Sequence, residues 1–269
     1  MPSRSELEEA LRPLIEAPER AAILCDVDGT IAPIVEQAEL AEVSERTSRL
    51  LEALGRRYAV VACVSGRGAG DVRKLVGVDS IDYAGSHGAE VLLAGAHESE
   101  WMPELEQHAD RVRRFADELD GSDLSNLGVR LEDKGPIFAF HWRGASDENA
   151  ARERVEQVAG AAEAEGLWTH WGRKVLEVRP PVAIDKGRAV RLLLEGREVT
   201  AALYAGDDRT DLDGFEALAG LAAESGLEAA VRVGVASDEG PPEIVAQADL
   251  AVEGVSGFID VLAVLAGEP

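Results

Sequence analysis

The sequence predicts an α/β fold, a parallel sheet covered by helices on both faces, interrupted by an inserted α+β segment. Continuous apolar, β-rich runs alternate with amphipathic helical patterns, the signature of strands buried on both faces. Acidic residues recur immediately after two of those runs, "CDVDGT" and "YAGDDRTD". The middle of the chain changes rhythm to helix–strand–strand, twice, which suits antiparallel pairing. Hydrophobic content of 46% with 29% charged residues belongs to a folded globular chain, and 269 residues suffice for one large domain or two ordinary ones. Aromatics are only 4%, so the core must rest on Ala, Val, Leu and Ile.

The opening "MPSRSELEEALRPLIEAPER" reads as acidic and helical, without the basic-then-apolar order of a secretory signal. "AAILCD" (21–26) is a buried strand, "EVSERTSRLLEALGRRY" (42–58) an amphipathic helix and "AVVACVS" (59–65) the next strand. A short helix around "AGDVRKLVG" leads into "SIDYAGSHGAEVL", which has strand character. Residues 104–182 then read as a helix ("PELEQHADRVRRFADELDG"), two strands ("GVRLEDKG", "PIFAFHWR"), a helix ("SDENAARERVEQVAGAAEAEG") and two strands ("LWTHWG", "KVLEVRP"). Trp142 and Trp171 read as core of this segment. Beyond it come the helix "DKGRAVRLLLEG", the strand "VTAALYAGDD", the helix "DLDGFEALAGLAAES", the strand "AAVRVGVAS", the helix "PPEIVAQA", the strand "DLAVEG" and a last helix "SGFIDVLAVLAG". The core is therefore discontinuous, 1–103 plus 183–269, with 104–182 inserted.

Asp26 and Asp28 lie two residues apart at the end of an apolar run. A buried strand gains nothing from adjacent acids, because each unpaired carboxylate loses its hydration there, so the pair marks the mouth of a site. Asp207, Asp208 and Asp211 follow a later strand, and sites in parallel sheets lie outside the carboxyl ends of the strands. Each piece taken alone has a plainer reading. "DVDGT" suits an Asx-rich turn, "GDDRTD" suits an acid-loaded helix N-terminus, and Lys186 suits a solvated helix charge. A calcium loop at "DDRTDLDG" fails for want of the closing Glu at its twelfth position.

The formal net charge of −24 repels nucleic acid and anionic membranes, which argues against either as a partner. It also opposes any phosphorylated ligand, which would need a local cation to compensate. No apolar run approaches the roughly eighteen residues of a membrane span. With Cys25 and Cys63 reading as two small buried thiols rather than a disulfide framework, cytoplasmic residence is expected.

"DVDGT", "VSGR", "DKG" and "YAGDDRTD", in that order, resemble the haloacid dehalogenase-like phosphatases. "GSHGAE", "LEDKGPIFAFHWR", "LEVRPPVAIDKGRAV" and "LYAGDDRTDLDGF" are similar to one branch of them, the trehalose-phosphate phosphatases, and the likeness runs from about residue 21 to about 260. The resemblance implies a HAD-like Rossmannoid core with an inserted α+β cap that selects the substrate. It implies Asp26 as a nucleophile attacking phosphorus and Asp28 as the acid that protonates the leaving alkoxide and then accepts a proton from water. Gly29 allows a tight exit from the strand and Thr30 holds the loop. Mg²⁺ would be bound by the Asp26 side chain, the Asp28 backbone carbonyl and Asp207, with Asp208 and Asp211 orienting waters and the lysine. Lys186 would neutralise the nucleophile and the transferring phosphoryl group. Ser65, helped by the Gly66 or Arg67 amide, would grip a phosphate oxygen, with Arg67 and His87 lining the pocket.

Glu132, Lys134 and Glu177 correspond to cap residues that reach sugar hydroxyls in that family, although Glu132 and Lys134 also suit a cross-strand surface pair. Val27 stands where the family usually carries an aromatic, "DLDGF" replaces a more acidic run, and "HWR" stands for the usual "HYR". The resemblance thus implies a Mg²⁺-dependent hydrolysis of trehalose 6-phosphate. Two alternatives stay open: another sugar phosphate, such as sucrose phosphate or a mannosyl-phosphoglycerate, and a sugar-phosphate-binding regulatory module without turnover.

Overall fold

The computed structural model describes residues 2–35, 40–119, 121–224, 226–237 and 240–268. The chain forms two compact units, Met1–Glu100 with Ile184–Pro269, and Trp101–Ala183. Strands are numbered along the chain: β1 Ala21–Cys25, β2 Val60–Val64, β3 Asp82–Gly85, β4 Glu90–Leu92, β5 Glu100–Trp101, β6 Arg130–Asp133, β7 Phe138–His141, β8 Trp168–Gly172, β9 Val175–Arg179, β10 Ala201–Gly206, β11 Ala229–Ala236 and β12 Leu250–Glu253.

The larger sheet runs in the order β12-β11-β10-β1-β2-β3-β4-β5. Pairing is parallel from β12 to β3 and antiparallel between β3 and β4. Every residue of β1, β2 and β10 is buried, which explains their uninterrupted apolar runs. Alternate residues feed opposite layers. Ile23, Val61 and Leu203 pack with Leu50, Leu51 and Leu54 of the helix Glu45–Gly55 and with Val261 and Leu262 of the helix Gly254–Ala266. Leu24, Ala62 and Tyr204 pack with Val190 and Leu193 of the helix Lys186–Leu194 and with Phe215 and Leu218 of the helix Asp211–Glu224. This is an α/β fold with a mostly parallel sheet and helices on both faces. Among the described residues, no helix is long and apolar enough to cross a membrane.

Some elements are shorter or more broken than the sequence suggests. The expected helix over 42–58 spans Glu45–Gly55, opened by Ser44, whose hydroxyl accepts from the Thr47 amide. "SIDYAGSHGAEVL" is not one strand. It breaks at Ser86–Gly88, a single 3₁₀ turn in which Ser86 (φ 51°) and His87 (φ 58°) take left-handed conformations, and it returns antiparallel as β4. The long helix expected at the start of the insert is three pieces, Pro103–Glu106, Ala109–Glu118 and Gly121–Asn126, with Leu119 extended between the last two.

The second unit is a four-stranded antiparallel sheet, β6-β7-β9-β8. Phe138, Phe140, Leu176 and Val178 form one face of its core, against Val112 and Phe115 and against Val155 and Val158 of the helix Glu148–Ala164. Trp142 is buried there, as expected. Trp171 is not: it sits on edge strand β8, 43% exposed, with its ring edge-on to Trp142 at 5.9 Å. Its face is the apolar one, shared with Leu176 by register, but an edge strand has no outer neighbour to finish covering an indole. Cys25 and Cys63 are unpaired, buried and directly opposite each other in the β1–β2 register. Their mutual hydrogen bond, with burial, pushes the Cys25 thiol well up, which keeps it protonated.

Candidate active site

Register brings the strand ends level. Cys25 aligns with Ala205 on one side and with Cys63 on the other, so Asp26, Gly206–Asp207 and Ser65 emerge side by side at the carboxyl edge. The Asp26 amide still bonds to the Ala205 carbonyl (2.8 Å), which holds the first acid against the sheet. The chain then turns sharply: the Ile31 and Ala32 amides both return to the Val27 carbonyl (2.9 Å each). Gly29 is required in that turn. Its φ is +88°, and a Cβ there would collide with the Asp207 carboxylate. Val27 is fully buried in the core. The missing aromatic is therefore a packing difference.

Lys186 is the electrostatic centre of the cluster. Its Nζ lies 2.8 Å from Asp26 Oδ1 and 2.7 Å from Asp211 Oδ1, with 3% of the residue exposed. The solvated-charge reading of this lysine does not hold. Burial works against its charge, but the Asp26 and Asp211 carboxylates outweigh burial and hold its pKa above the ordinary lysine value. Its position is set by helix chemistry: Asp185 caps the helix Lys186–Leu194 by accepting from the Arg188 amide (2.7 Å), which makes Lys186 the first helical residue.

Asp211 is the organiser. It accepts from Lys186, from the Tyr204 hydroxyl (2.7 Å), and from the Asp207 (3.1 Å) and Asp208 (3.0 Å) amides. A Cβ on Gly206 would collide with its carboxyl carbon, so that glycine makes room for the acid. Asp26, Asp207 and Asp211 each offer an oxygen within 4.8 Å of the others. Burial pushes the Asp26 carboxyl well up, with Lys186 opposing and Asp211 adding. Burial and the Asp211 charge push Asp207 up to about 6. The Thr30 hydroxyl donates to Asp207 Oδ1 (3.2 Å), tying its loop to the residue that follows β10.

Such crowding of buried carboxylates is what a divalent cation relieves, and the all-oxygen donor set suits Mg²⁺. Asp211 already carries four donors, so Asp26 and Asp207 are the pair with oxygens to give. Asp208 is exposed and its Oδ1 is engaged by the Arg209 amide (2.6 Å).

Asp28 is held differently. Arg67 grips both its oxygens in a fork, Nε to Oδ2 at 2.7 Å and Nη2 to Oδ1 at 2.6 Å. Ser65 is buried and its hydroxyl accepts from the Arg67 amide (3.2 Å). The His87 ring lies over Gly66, where a Cβ would sit 2.7 Å from Cε1 and Nε2. Asp26, Asp28, Ser65, Gly66, His87, Lys186, Asp207 and Asp208 line one cleft of about 400 Å³.

Ile34, Thr210, Ser237 and Gly240 also line the cleft, and sequence reasoning missed them. Ser237 and Gly240 follow the carboxyl end of β11, so the strand-end rule pointed at them. Tyr204, buried inside its strand, gave no such signal.

In the second unit, Glu132, Ala139 and Glu177 face each other across β6, β7 and β9. Glu132 and Lys134 do not pair with one another: Lys134 Nζ lies 3.1 Å from Glu177 Oε1, and Glu132 Oε2 lies 2.7 Å from His141 Nε2. Glu132 and His141 sit on the neighbouring strands β6 and β7, whereas Lys134, just past β6, reaches across β7 to Glu177 on β9.

Comparison with known proteins agrees with this geometry. The sequence pattern of the trehalose-phosphatase family matches residues 24–248. A trehalose-phosphate phosphatase of Mycolicibacterium paratuberculosis is 38% identical over 214 residues, covering 74% of this chain and 51% of that protein. This chain thus spans about half the length of the curated relatives it matches. Among solved structures, the C-terminal domain of a C. albicans trehalose-6-phosphate phosphatase superposes with a TM-score of 0.68 at 21% identity, covering 99% of this chain and 98% of that one. A haloacid dehalogenase-like hydrolase from Bacteroides thetaiotaomicron superposes with a TM-score of 0.60 at 15% identity, covering 91% and 99%. At those identities the structural likeness establishes the fold, and the sequence match establishes the lineage. With its acids and lysine gathered at the carboxyl edge of a HAD-like sheet, the chain belongs to the trehalose-phosphatase family.

Proposed function

We propose that the chain is a Mg²⁺-dependent phosphatase that hydrolyses trehalose 6-phosphate to trehalose and phosphate. The observation that carries this is the single cleft holding Asp26, Asp28, Ser65, Lys186 and Asp207, in a chain of this family. Asp26 is the nucleophile. One of its oxygens bonds to phosphorus as the bond from phosphorus to the sugar oxygen breaks, leaving an aspartyl-phosphate. Asp28 gives its proton to the departing alkoxide, then takes one from the water that attacks phosphorus, which releases phosphate and restores Asp26. The Arg67 fork must turn from Asp28 for those transfers.

Lys186 offsets negative charge on Asp26 and on the phosphoryl oxygens, and Ser65 with the Gly66 amide grips one of those oxygens. This is the local positive charge that a net −24 surface requires for an anionic ligand. Asp26, the Asp28 carbonyl and Asp207 would hold Mg²⁺, with Asp208 and Asp211 supporting. When bound, the ion supplies charge neutralisation between carboxylates and phosphate. Glu132, Lys134 and Glu177 of the second unit, the proposed cap, would bind sugar hydroxyls. Buried free thiols at Cys25 and Cys63 suit a cytoplasmic protein.

A phosphate-release panel of trehalose 6-phosphate, sucrose phosphate, a mannosyl-phosphoglycerate and glucose 6-phosphate tests the substrate. The expected result is a preference for trehalose 6-phosphate, lost with EDTA and restored by Mg²⁺. Preference for another sugar phosphate overturns the substrate. Asp26→Asn keeps the side-chain shape and should lower turnover by about a thousandfold or more. Unchanged turnover in that variant would falsify the mechanism.

A further inference from the structure

Glu90 is a buried carboxylate that none of the proposed chemical steps uses, yet it joins the two loops that form one side of the cleft. Its Oε1 accepts from the Ala69 amide (3.0 Å) and from the Ser86 hydroxyl (3.2 Å), and its Oε2 accepts from the Ser99 hydroxyl (2.5 Å). Ala69 opens the helix Ala69–Val76, which follows directly on the Ser65–Gly66–Arg67 loop and whose N-cap residue, Gly68, has no side chain to satisfy it. Glu90 supplies that cap from a different strand, 21 residues away. Ser86 belongs to the turn that carries His87 over Gly66.

That turn needs holding. Ser86 and His87 are consecutive non-glycine residues at φ 51° and 58°, a region L-residues rarely occupy. Two backbone bonds tie the turn to the first loop, Ser86 amide to Arg67 carbonyl (2.7 Å) and His87 amide to Ser65 carbonyl (2.9 Å). The strand end is pressed against the helix start, since a Cβ on Gly85 would collide with the Ala69 nitrogen. Through one carboxylate, Glu90 bonds both loops at once. Ser65, Gly66 and His87 line the cleft, and Arg67 clamps Asp28, so the two segments that Glu90 bonds lead into all four.

We propose that Glu90 is a positioning residue for phosphate binding. By capping the helix behind Ser65–Arg67 and holding the Ser86–His87 turn, it fixes the hydroxyl, amide and imidazole that meet the phosphate. The inference rests on the phosphatase reading, and direct binding separates the two.

The test is calorimetric titration of inorganic phosphate, in Mg²⁺ buffer, into wild type, Glu90→Gln, Glu90→Ala, His87→Ala and the Glu90→Ala/His87→Ala double variant. Turnover of trehalose 6-phosphate and thermal melting are followed in parallel. Glu90→Ala should weaken phosphate binding about tenfold and raise KM with it, as loss of a supporting contact does elsewhere. Glu90→Gln, which keeps an acceptor for the Ala69 amide, should recover most of that loss. The double variant should lose less than the product of the two single effects, because part of each is release of the same imidazole. Should Glu90→Ala fail to fold, Ser86→Ala is expected to weaken binding in the same direction, and by a similar factor in Glu90→Gln, whose retained oxygen still accepts from the Ser86 hydroxyl. A lowered melting temperature with phosphate affinity within about twofold of wild type overturns the proposal, as do multiplicative single effects. If wild type binds phosphate yet releases none from trehalose 6-phosphate, the substrate assignment fails while Glu90 is still judged by affinity.

Discussion

Asp26 and Asp207 sit where ionisation is opposed, and their pH behaviour follows from that. Burial and the Asp211 charge push Asp207 up to about 6, whereas in the unfolded chain it titrates in the ordinary carboxylate range. The folded protein therefore binds the extra proton between those values. The destabilising charge grows as pH rises through this window and is complete above about 6. A divalent cation relieves it where the acids are ionised and competes with protons where they are not. We expect Mg²⁺ to raise the melting temperature more at about pH 7.5 than at about pH 5. Equal shifts at both, measured by circular dichroism, would count against Asp207 as a ligand. The acids themselves were legible in the sequence, because a carboxylate at the end of a buried apolar run is costly unless it faces a site. Tyr204 was not: a tyrosine in an apolar run reads as core until its hydroxyl is seen on Asp211.

At the scale of elements, the helix Lys186–Leu194 delivers the lysine and the Asp185 cap fixes where that helix begins. Asp185→Ala should lower stability by about 1 kcal/mol, read from the urea midpoint at constant m. It should also lower turnover, since Lys186 is the first residue the cap orders. Stability lost with turnover intact would mean that the Asp26 and Asp211 ion pairs alone hold the lysine. The Ser86–Gly88 break shows the limit of element reading. Local composition favours a continuing strand, but amide bonds to the Arg67 and Ser65 carbonyls, distant in sequence, select a left-handed turn. Trp171 shows another limit. The sequence reads it as core, while the edge position of β8 decided its exposure.

For the whole molecule, the net charge of −24 opposes an anionic substrate over distances that salt can screen. Raising ionic strength from about 20 mM to about 150 mM should therefore increase kcat/KM for trehalose 6-phosphate, mainly by lowering KM. A fall over that range in steady-state assays would place the decisive field in the local cations, Lys186 and Arg67.

By itself the sequence determined the alternation of buried strands and helices, the strand ends where the acids emerge, and the ordered motifs that mark the family. These are local properties: side-chain period, turn chemistry and residue order along one chain. Only the tertiary structure decided which partners those groups take. Lys186 is shared between Asp26 and Asp211, Arg67 is forked onto Asp28, Lys134 reaches Glu177 rather than Glu132, and Glu90 ties two loops together. Such pairings depend on strand register and close backbone approach between segments far apart in the chain, which no local pattern encodes.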